Sequence, residues 1–318
     1  MLEHGYFTIL FATVAIGAAT ATVGSLVYLR QQGMFADVVA HSTLPGTMLA
    51  FLAGTALFEN GRNIALFTVF AICFGILGTR CASAIKNRSP LGIETAMAIT
   101  IVSFFSGGML LFAYIQQSGF AGKGGISSYL FGNAAQLTLA DTALNCGVAL
   151  LSITLVCVFF RPLKLLCFDA SYATTRGIRT RGYETLLFVL LALITVSGMR
   201  AIGIILIIAF ILIPAAAARQ WCRTAWQVTC LAAALGAVTA GLGSLITIYV
   251  WDAPTGPVIV LLMFAELVFS LLFAPGRGIL NRAILHRARS AKLSRTGNTS
   301  PARTTTIQLT STSPAAEG

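Results

Sequence analysis

Residues Tyr6–Leu29 read YFTILFATVAIGAATATVGSLVYL, 24 positions without a charged side chain. A helix rises about 1.5 Å per residue, so such a run reaches about 36 Å and exceeds the roughly 30 Å of a bilayer's hydrocarbon core. Gly17 and Gly24 lie inside the run. Small residues at such places let helices approach closely in lipid. The run has neither a basic leader nor a small-residue cleavage site, so it reads as a mature spanning helix and not as a signal peptide.

The pattern repeats along the chain. Nine apolar segments cover approximately Tyr6–Leu29, Val38–Phe58, Ile64–Ile85, Ile93–Ile115, Thr142–Phe160, Thr185–Gly198, Ala201–Ala217, Ala225–Val250 and Pro257–Phe273. The sixth and seventh are short, and Ser197-Gly198-Met199-Arg200 between them reads as a tight turn, with one long kinked helix as the alternative. Over the 318 residues, 57% are hydrophobic and 10% charged, far below the roughly 25% charged of a soluble domain. The expected fold is an all-α polytopic membrane protein with about nine transmembrane helices.

The formal charge of +11 would suggest nucleic acid in a soluble chain. Here most basic residues sit between alternate apolar runs: Arg30, then Arg80, Lys86 and Arg88, then Arg161 to Arg181, then Arg219 and Arg223, then the tail from Arg277. The opposite loops carry only Arg62, Lys123 and Arg200. With nine spans the larger set shares one side, which the positive-inside rule makes cytoplasmic. The N-terminus is then outside and the C-terminus cytoplasmic, and no nucleic-acid partner is expected. Gly119–Asp141 is too weakly apolar for a span and reads as an external surface segment. Residues 1–276 form the membrane domain, and 277–318 a basic tail expected to be disordered. The seven cysteines include no C-x-x-C pair and read as small hydrophobes.

Asp37 and His41 carry the chemistry, in Ala36-Asp37-Val38-Val39-Ala40-His41-Ser42-Thr43-Leu44-Pro45-Gly46. Four positions apart, they share one face of a helix. A carboxylate oxygen and an imidazole nitrogen suit Mn²⁺, Fe²⁺ or Zn²⁺, provided both groups are deprotonated. Pro45-Gly46 reads as a helix interruption just beyond the pair, as at ion sites in broken membrane helices. The competing reading makes Asp37 an interfacial cap and His41 a partner for a neighbouring helix. Glu94, at the start of the fourth segment, fits either the cation route or a helix-dipole role. Glu266, midway along the ninth, must face the bundle interior, a subunit contact or a cavity.

Asp169 reads as the N-cap of a short helix, closed by Gly177, in a loop on the basic side. Such a helix either docks into a partner's groove or is an ordinary surface turn. There is no G-x-x-x-x-G-K-[ST], so a phosphate-binding loop is absent, and a single His beside a single Asp offers little to an intramembrane enzyme.

These residues bear a resemblance. Asp37 to Gly46 resembles the D-x-x-x-H-[AS]-x-L-P-G motif of the metal-type permeases of bacterial ABC importers, which serve manganese, zinc and ferrous iron. Phe168-Asp169 through Ala173 to Gly177 resembles that family's F-D-x-x-x-A-x-x-x-G loop. Gly203 to Leu206 with Pro214 to Arg219, and Asp252-Ala253-Pro254-Thr255-Gly256-Pro257, match two further motifs in order. Tyr129 to Ala135, with Met97, Ser103 to Ser106, Gly108 and Met109, looks closer to the manganese and iron members. One departure is Ala170, where the family often has proline.

The resemblance implies a multi-pass permease of the bacterial cell (inner) membrane, not itself an enzyme and with no permanently bound cofactor. It implies an ATP-binding cassette subunit, an extracellular or periplasmic metal-binding protein and a second permease copy, in a homodimer or heterodimer. It implies that Asp37 and His41 line the cation route. Asp169, Ala173, Arg176 and Gly177, within a coupling loop at about residues 161–183, would contact the ATPase. The alternative function is an ATP-independent cation channel or a proton-coupled metal carrier.

Overall fold

The computed structural model describes residues 2–58, 64–119, 139–249, 255–275 and 278. The described residues fold into α1 (Leu2–Leu29), α2 (Met34–Phe58), α3 (Ile64–Arg88), α4 (Ile93–Gln117), α5 (Leu139–Val158), α6 (Phe160–Phe168), α7 (Ala170–Thr175), α8 (Thr180–Ile202), α9 (Ile204–Trp221), α10 (Ala225–Tyr249) and α11 (Thr255–Phe273). Eight of them are long and apolar enough to cross a membrane, and α9 adds a shorter apolar stretch, Leu206–Trp221. The chain is an all-helical, multi-pass membrane protein. Residues 120–138 of the weakly apolar segment lie outside the described residues, as does the tail from 279.

One boundary differs from the sequence reading. Ser197–Arg200 stays helical, so α8 is 23 residues long, and the break falls at Gly203 with φ 87° and ψ 159°. A residue without Cβ takes that φ freely, so the chain turns where it is cheapest. The small residues upstream serve packing instead. The Ser197 hydroxyl donates to Asn145 Oδ1 on α5 at 2.5 Å. Gly198 lies against Ile16 and Ile207.

α1 stands in the middle of the bundle, packed by α5, α8, α9 and α10. On one side α2 packs with α3, α4 and α8, and on the other α9 packs with α10 and α11. Lipid supplies no hydrophobic drive between helices, so close fit and hydrogen bonds hold them. At the α1–α10 crossing a Cβ on Gly236 would sit 2.7 Å from the Gly17 carbonyl oxygen, so both positions need glycine. Thr13 and Ser244 share a hydrogen bond of 2.9 Å across the same seam, and Ser25 donates to Thr229 at 2.8 Å. Outward faces of α4 and α11 stay apolar and exposed, with Val102, Leu110, Leu261 and Phe264 as examples.

The basic loops gather at one end of the bundle. Arg30, Lys86, Glu94 and Glu184, from the ends of four different helices, line one cavity of about 400 Å³. Arg30 also lines a second cavity, about 620 Å³, with Tyr28, Cys167 and Arg219.

Candidate functional site

Asp37 lies in the first turn of α2 and His41 one turn further in. Both side chains are half-buried. Asp37 Oδ1 and His41 Nδ1 are buried and have no hydrogen-bond partner. Buried polar atoms are nearly always paired, so two orphans on one helical face call for an explanation. The His41 ring meets Phe105 of α4 edge-on, with centroids 5.3 Å apart. Ser42, the next residue, turns the other way and packs tightly on Gly78 of α3. α2 therefore presents Asp37 and His41 toward the α4 side and anchors its remaining faces in apolar packing.

The expected helix break at Pro45-Gly46 does not occur, because α2 runs unbroken from Met34 to Phe58. Close packing holds the segment helical. The Pro45 ring and Leu44 press on Gly108 of α4, while Gly46 lies against Phe70 and Phe74 of α3. Pro45 still removes one N–H from the ladder, the one that would reach the carbonyl of His41. The backbone acceptor oxygen of His41 itself thus loses its helical donor. Carboxylate and imidazole are donor types that suit a divalent transition metal, though no group of three such side chains gathers among the described residues.

Glu94 is not brought to the pair. It is exposed at the start of α4 and lines the 400 Å³ cavity with Glu184, Arg30 and Lys86. Glu266 lies across the bundle on α11, where the Thr239 hydroxyl donates to its Oε2 at 2.5 Å. Neither that partner nor Phe105 beside His41 is visible in residue spacing or composition.

The short helix of the basic loop is built as its residues predict. Asp169 is extended, with φ −153° and ψ 93°, and its Oδ1 accepts the Tyr172 N–H at 2.8 Å, so α7 is capped without the proline. Ala173 is fully buried and pins α7 to the bundle. Arg176 donates from Nε to the Tyr172 hydroxyl at 3.0 Å and lies 5.4 Å from that ring's centroid. Gly177, at φ 75°, closes the helix with Gly177 N–H on the Thr174 carbonyl and Ile178 N–H on the Ala173 carbonyl. Phe168 and Tyr172 remain exposed beside it, an apolar pair on an otherwise basic surface. At the end of α6, Cys167 donates weakly to the Leu26 carbonyl at 3.4 Å. Burial pushes its thiol up to about 11, against the pull of the Arg30 charge, so it stays neutral.

Residues 5–274 match the family model described as the ABC 3 transport family. The chain is 34% identical over 276 residues to the manganese transport system membrane protein MntC of Bacillus subtilis, covering 87% of this chain and 62% of that relative's length. It is 32% identical to the zinc transport system membrane protein TroC of Treponema pallidum, covering 86% of this chain and 90% of TroC. A solved structure of PsaBC from Streptococcus pneumoniae in complex with Fab superposes with a TM-score of 0.76 at 29% identity, covering 89% of this chain and 95% of that one.

Proposed function

The chain belongs to the ABC 3 transport family, and from that premise we propose that it carries a divalent transition metal into the cytoplasm, manganese in first place and zinc or ferrous iron behind it. It is a transport subunit of the cell membrane, not an enzyme. ATP is hydrolysed on a separate ATP-binding cassette subunit, and an extracellular or periplasmic metal-binding protein delivers the ion. A second permease copy, identical or not, completes the route.

The observation that carries this reading is the orphaned pair: Asp37 Oδ1 and His41 Nδ1, buried and unpartnered on one face of α2. A carboxylate left buried without compensation is costly, and a passing cation supplies the missing partner. The ion exchanges part of its hydration shell for Asp37, His41 and the carbonyl that Pro45 leaves without a donor. Glu94 stays apart from the pair, in a cavity at the same end of the bundle that Arg30, Lys86 and Glu184 also line. Capped at Asp169 and pinned by Ala173, α7 presents Phe168, Tyr172 and Arg176 to the ATPase. ATP binding draws the α7 elements together and switches access from outside to inside. The N-terminus is then external, and the basic loops and the tail at 277–318 face the cytoplasm.

Radiolabelled manganese and zinc uptake in a strain lacking this chain, restored with the wild type, Asp37→Ala or His41→Ala, tests the reading. Wild type is expected to restore manganese uptake and both variants to fail at equal membrane abundance. Undiminished uptake by both variants removes the site from the mechanism.

A further inference from the structure

Two corners at the basic end of the bundle share one backbone design. α1 ends with Gln31 N–H on the Tyr28 carbonyl at 2.9 Å and Gln32 N–H on the Val27 carbonyl at 3.2 Å. α7 ends with the same two-bond turn at Gly177 and Ile178. The left-handed position is glycine at α7 but Gln31, with φ 57°, at α1. An L-residue held there is strained, and such strain persists where the surroundings over-determine the geometry.

Those surroundings are supplied by α8. Arg30, next to Gln31, donates from Nη2 to Glu184 Oε1 at 2.6 Å, and its side chain is only 12% exposed. One turn along α8 from Glu184, Phe188 packs against Phe35 with the rings tilted by 38° and centroids 5.0 Å apart. Phe35 is buried in the first turn of α2, and its N–H is fixed to the Gln32 carbonyl at 2.9 Å. Glu184 and Phe188 are i and i+4, so one face of α8 holds both the corner and the head of α2.

The path on either side of this grip is short. Upstream, α8 starts three residues after Gly177, the end of the loop helix. Downstream, Arg30 is seven residues before Asp37, and α2 is continuous from Met34 through His41. Helices move as stiff bodies, so a displacement of α7 that pivots at Gly177 shifts the first turns of α8. Through the grip it shifts the helix that bears Asp37 and His41.

We infer that Glu184 and Phe188 are positioning residues for transport: by gripping Arg30 and Phe35 they carry the motion of the ATPase-contacting helix α7 to the metal-site helix α2. The inference rests on the ATP-driven importer reading above. Neither α8 residue touches the cation. The charged contact, a single bond from Nη2 with Nη1 left unpartnered, ties the corner to α8, and the aromatic contact sets the distance of α2.

The test uses the full complex in proteoliposomes, with ATP turnover and manganese uptake read from the same vesicles. Glu184→Gln and Phe188→Leu are expected to retain ATP turnover while manganese moved per ATP falls about tenfold, within the range of coupling changes of 0.5–2 kcal/mol. Exchanging the charges, Arg30→Glu with Glu184→Arg, is expected to restore most of the ratio that either single reversal removes. A purely structural pair lowers ATP turnover and uptake in proportion, and an unchanged ratio in every variant that assembles overturns the inference alone. If a substitution at Glu184 abolishes assembly, Phe188→Leu and the charge exchange decide by the same ratio. Wild-type vesicles that move manganese with no ATPase subunit overturn the importer reading, and the inference falls with it.

Discussion

Asp37 on α2 and Glu266 on α11 are both carboxylates within apolar spans, yet the bundle treats them differently. Glu266 is held at one oxygen: Thr239 of α10 donates to its Oε2 at 2.5 Å, while its Oε1 is buried without a partner. At Asp37 the buried Oδ1 accepts no hydrogen bond, and Nδ1 of its neighbour His41 is equally unpartnered. The helix around Asp37 is nevertheless closely packed, with Phe35, Val38, Val39 and Ala40 buried. Around Glu266 the helix exposes Phe264 and Phe269. Polar groups are left unsatisfied inside the better-packed helix, Ser42 Oγ among them, and the proposed metal site would account for those of Asp37 and His41. A group held at one oxygen by a hydroxyl of the neighbouring outer helix reads as a fastening between α10 and α11.

The largest effect that can break this contrast is on uptake. Asp37→Asn keeps the shape and removes the charge, so manganese uptake should fall by at least about 100-fold, the upper end of what loss of an outer-shell partner costs a metal site. The protein itself should be no less stable, since a buried unpaired acceptor contributes nothing to folding. Glu266→Gln preserves an acceptor for Thr239 and should leave uptake unchanged. Equal uptake losses for the two variants, measured at matched abundance, would erase the distinction drawn between the two carboxylates.

Much of the architecture was legible in the chain, for a physical reason. Lipid imposes length and apolarity on each span separately, so every span announces itself without reference to its neighbours. Spacing alone put Asp37 and His41 on one face. Contacts that depend on the fold were invisible. Arg30 and Glu184 are 154 residues apart, and nothing in either neighbourhood names the other. Phe105 reads as one more apolar residue of α4 until its ring is seen against His41. The break between α8 and α9 was misplaced because Ser197-Gly198 has the composition of a turn. Its small side chains instead serve a hydrogen bond and a close crossing, while the lone Gly203 carries the positive φ. Likewise Pro45-Gly46 has the composition of a break, and tertiary packing on Gly108 and α3 overrides it.

Next in size is a test of the packing that presents the pair. Gly107 and Gly108 are neighbours on α4, but only Gly108 faces α2. A Cβ there would overlap Leu44 and sit 3.0 Å from the Pro45 nitrogen, whereas a Cβ on Gly107 meets nothing within 4 Å. Gly108→Ala should therefore cost about 1–3 kcal/mol, the usual range for overpacking, seen as a lower unfolding midpoint in detergent. It should also impair uptake by forcing α4, with Phe105, away from His41. Gly107→Ala should leave both measurements unchanged.

The smallest effect tests the fastening at Glu266. Thr239→Val keeps the shape of the side chain but removes the hydroxyl, leaving Oε2 without its donor. Hydrogen bonds between membrane helices are worth about 0.6 kcal/mol on average, so the loss of stability should be of that order. Uptake should remain at the wild-type level, because the α10–α11 seam lies across the bundle from α2. Adding Glu266→Leu to Thr239→Val removes the stranded acceptor as well, and stability should return toward the wild-type value, as it does when both partners of a buried hydrogen bond become apolar. If the double variant instead loses uptake while keeping its stability, Glu266 has a part in transport after all, and the contrast with Asp37 becomes one of degree.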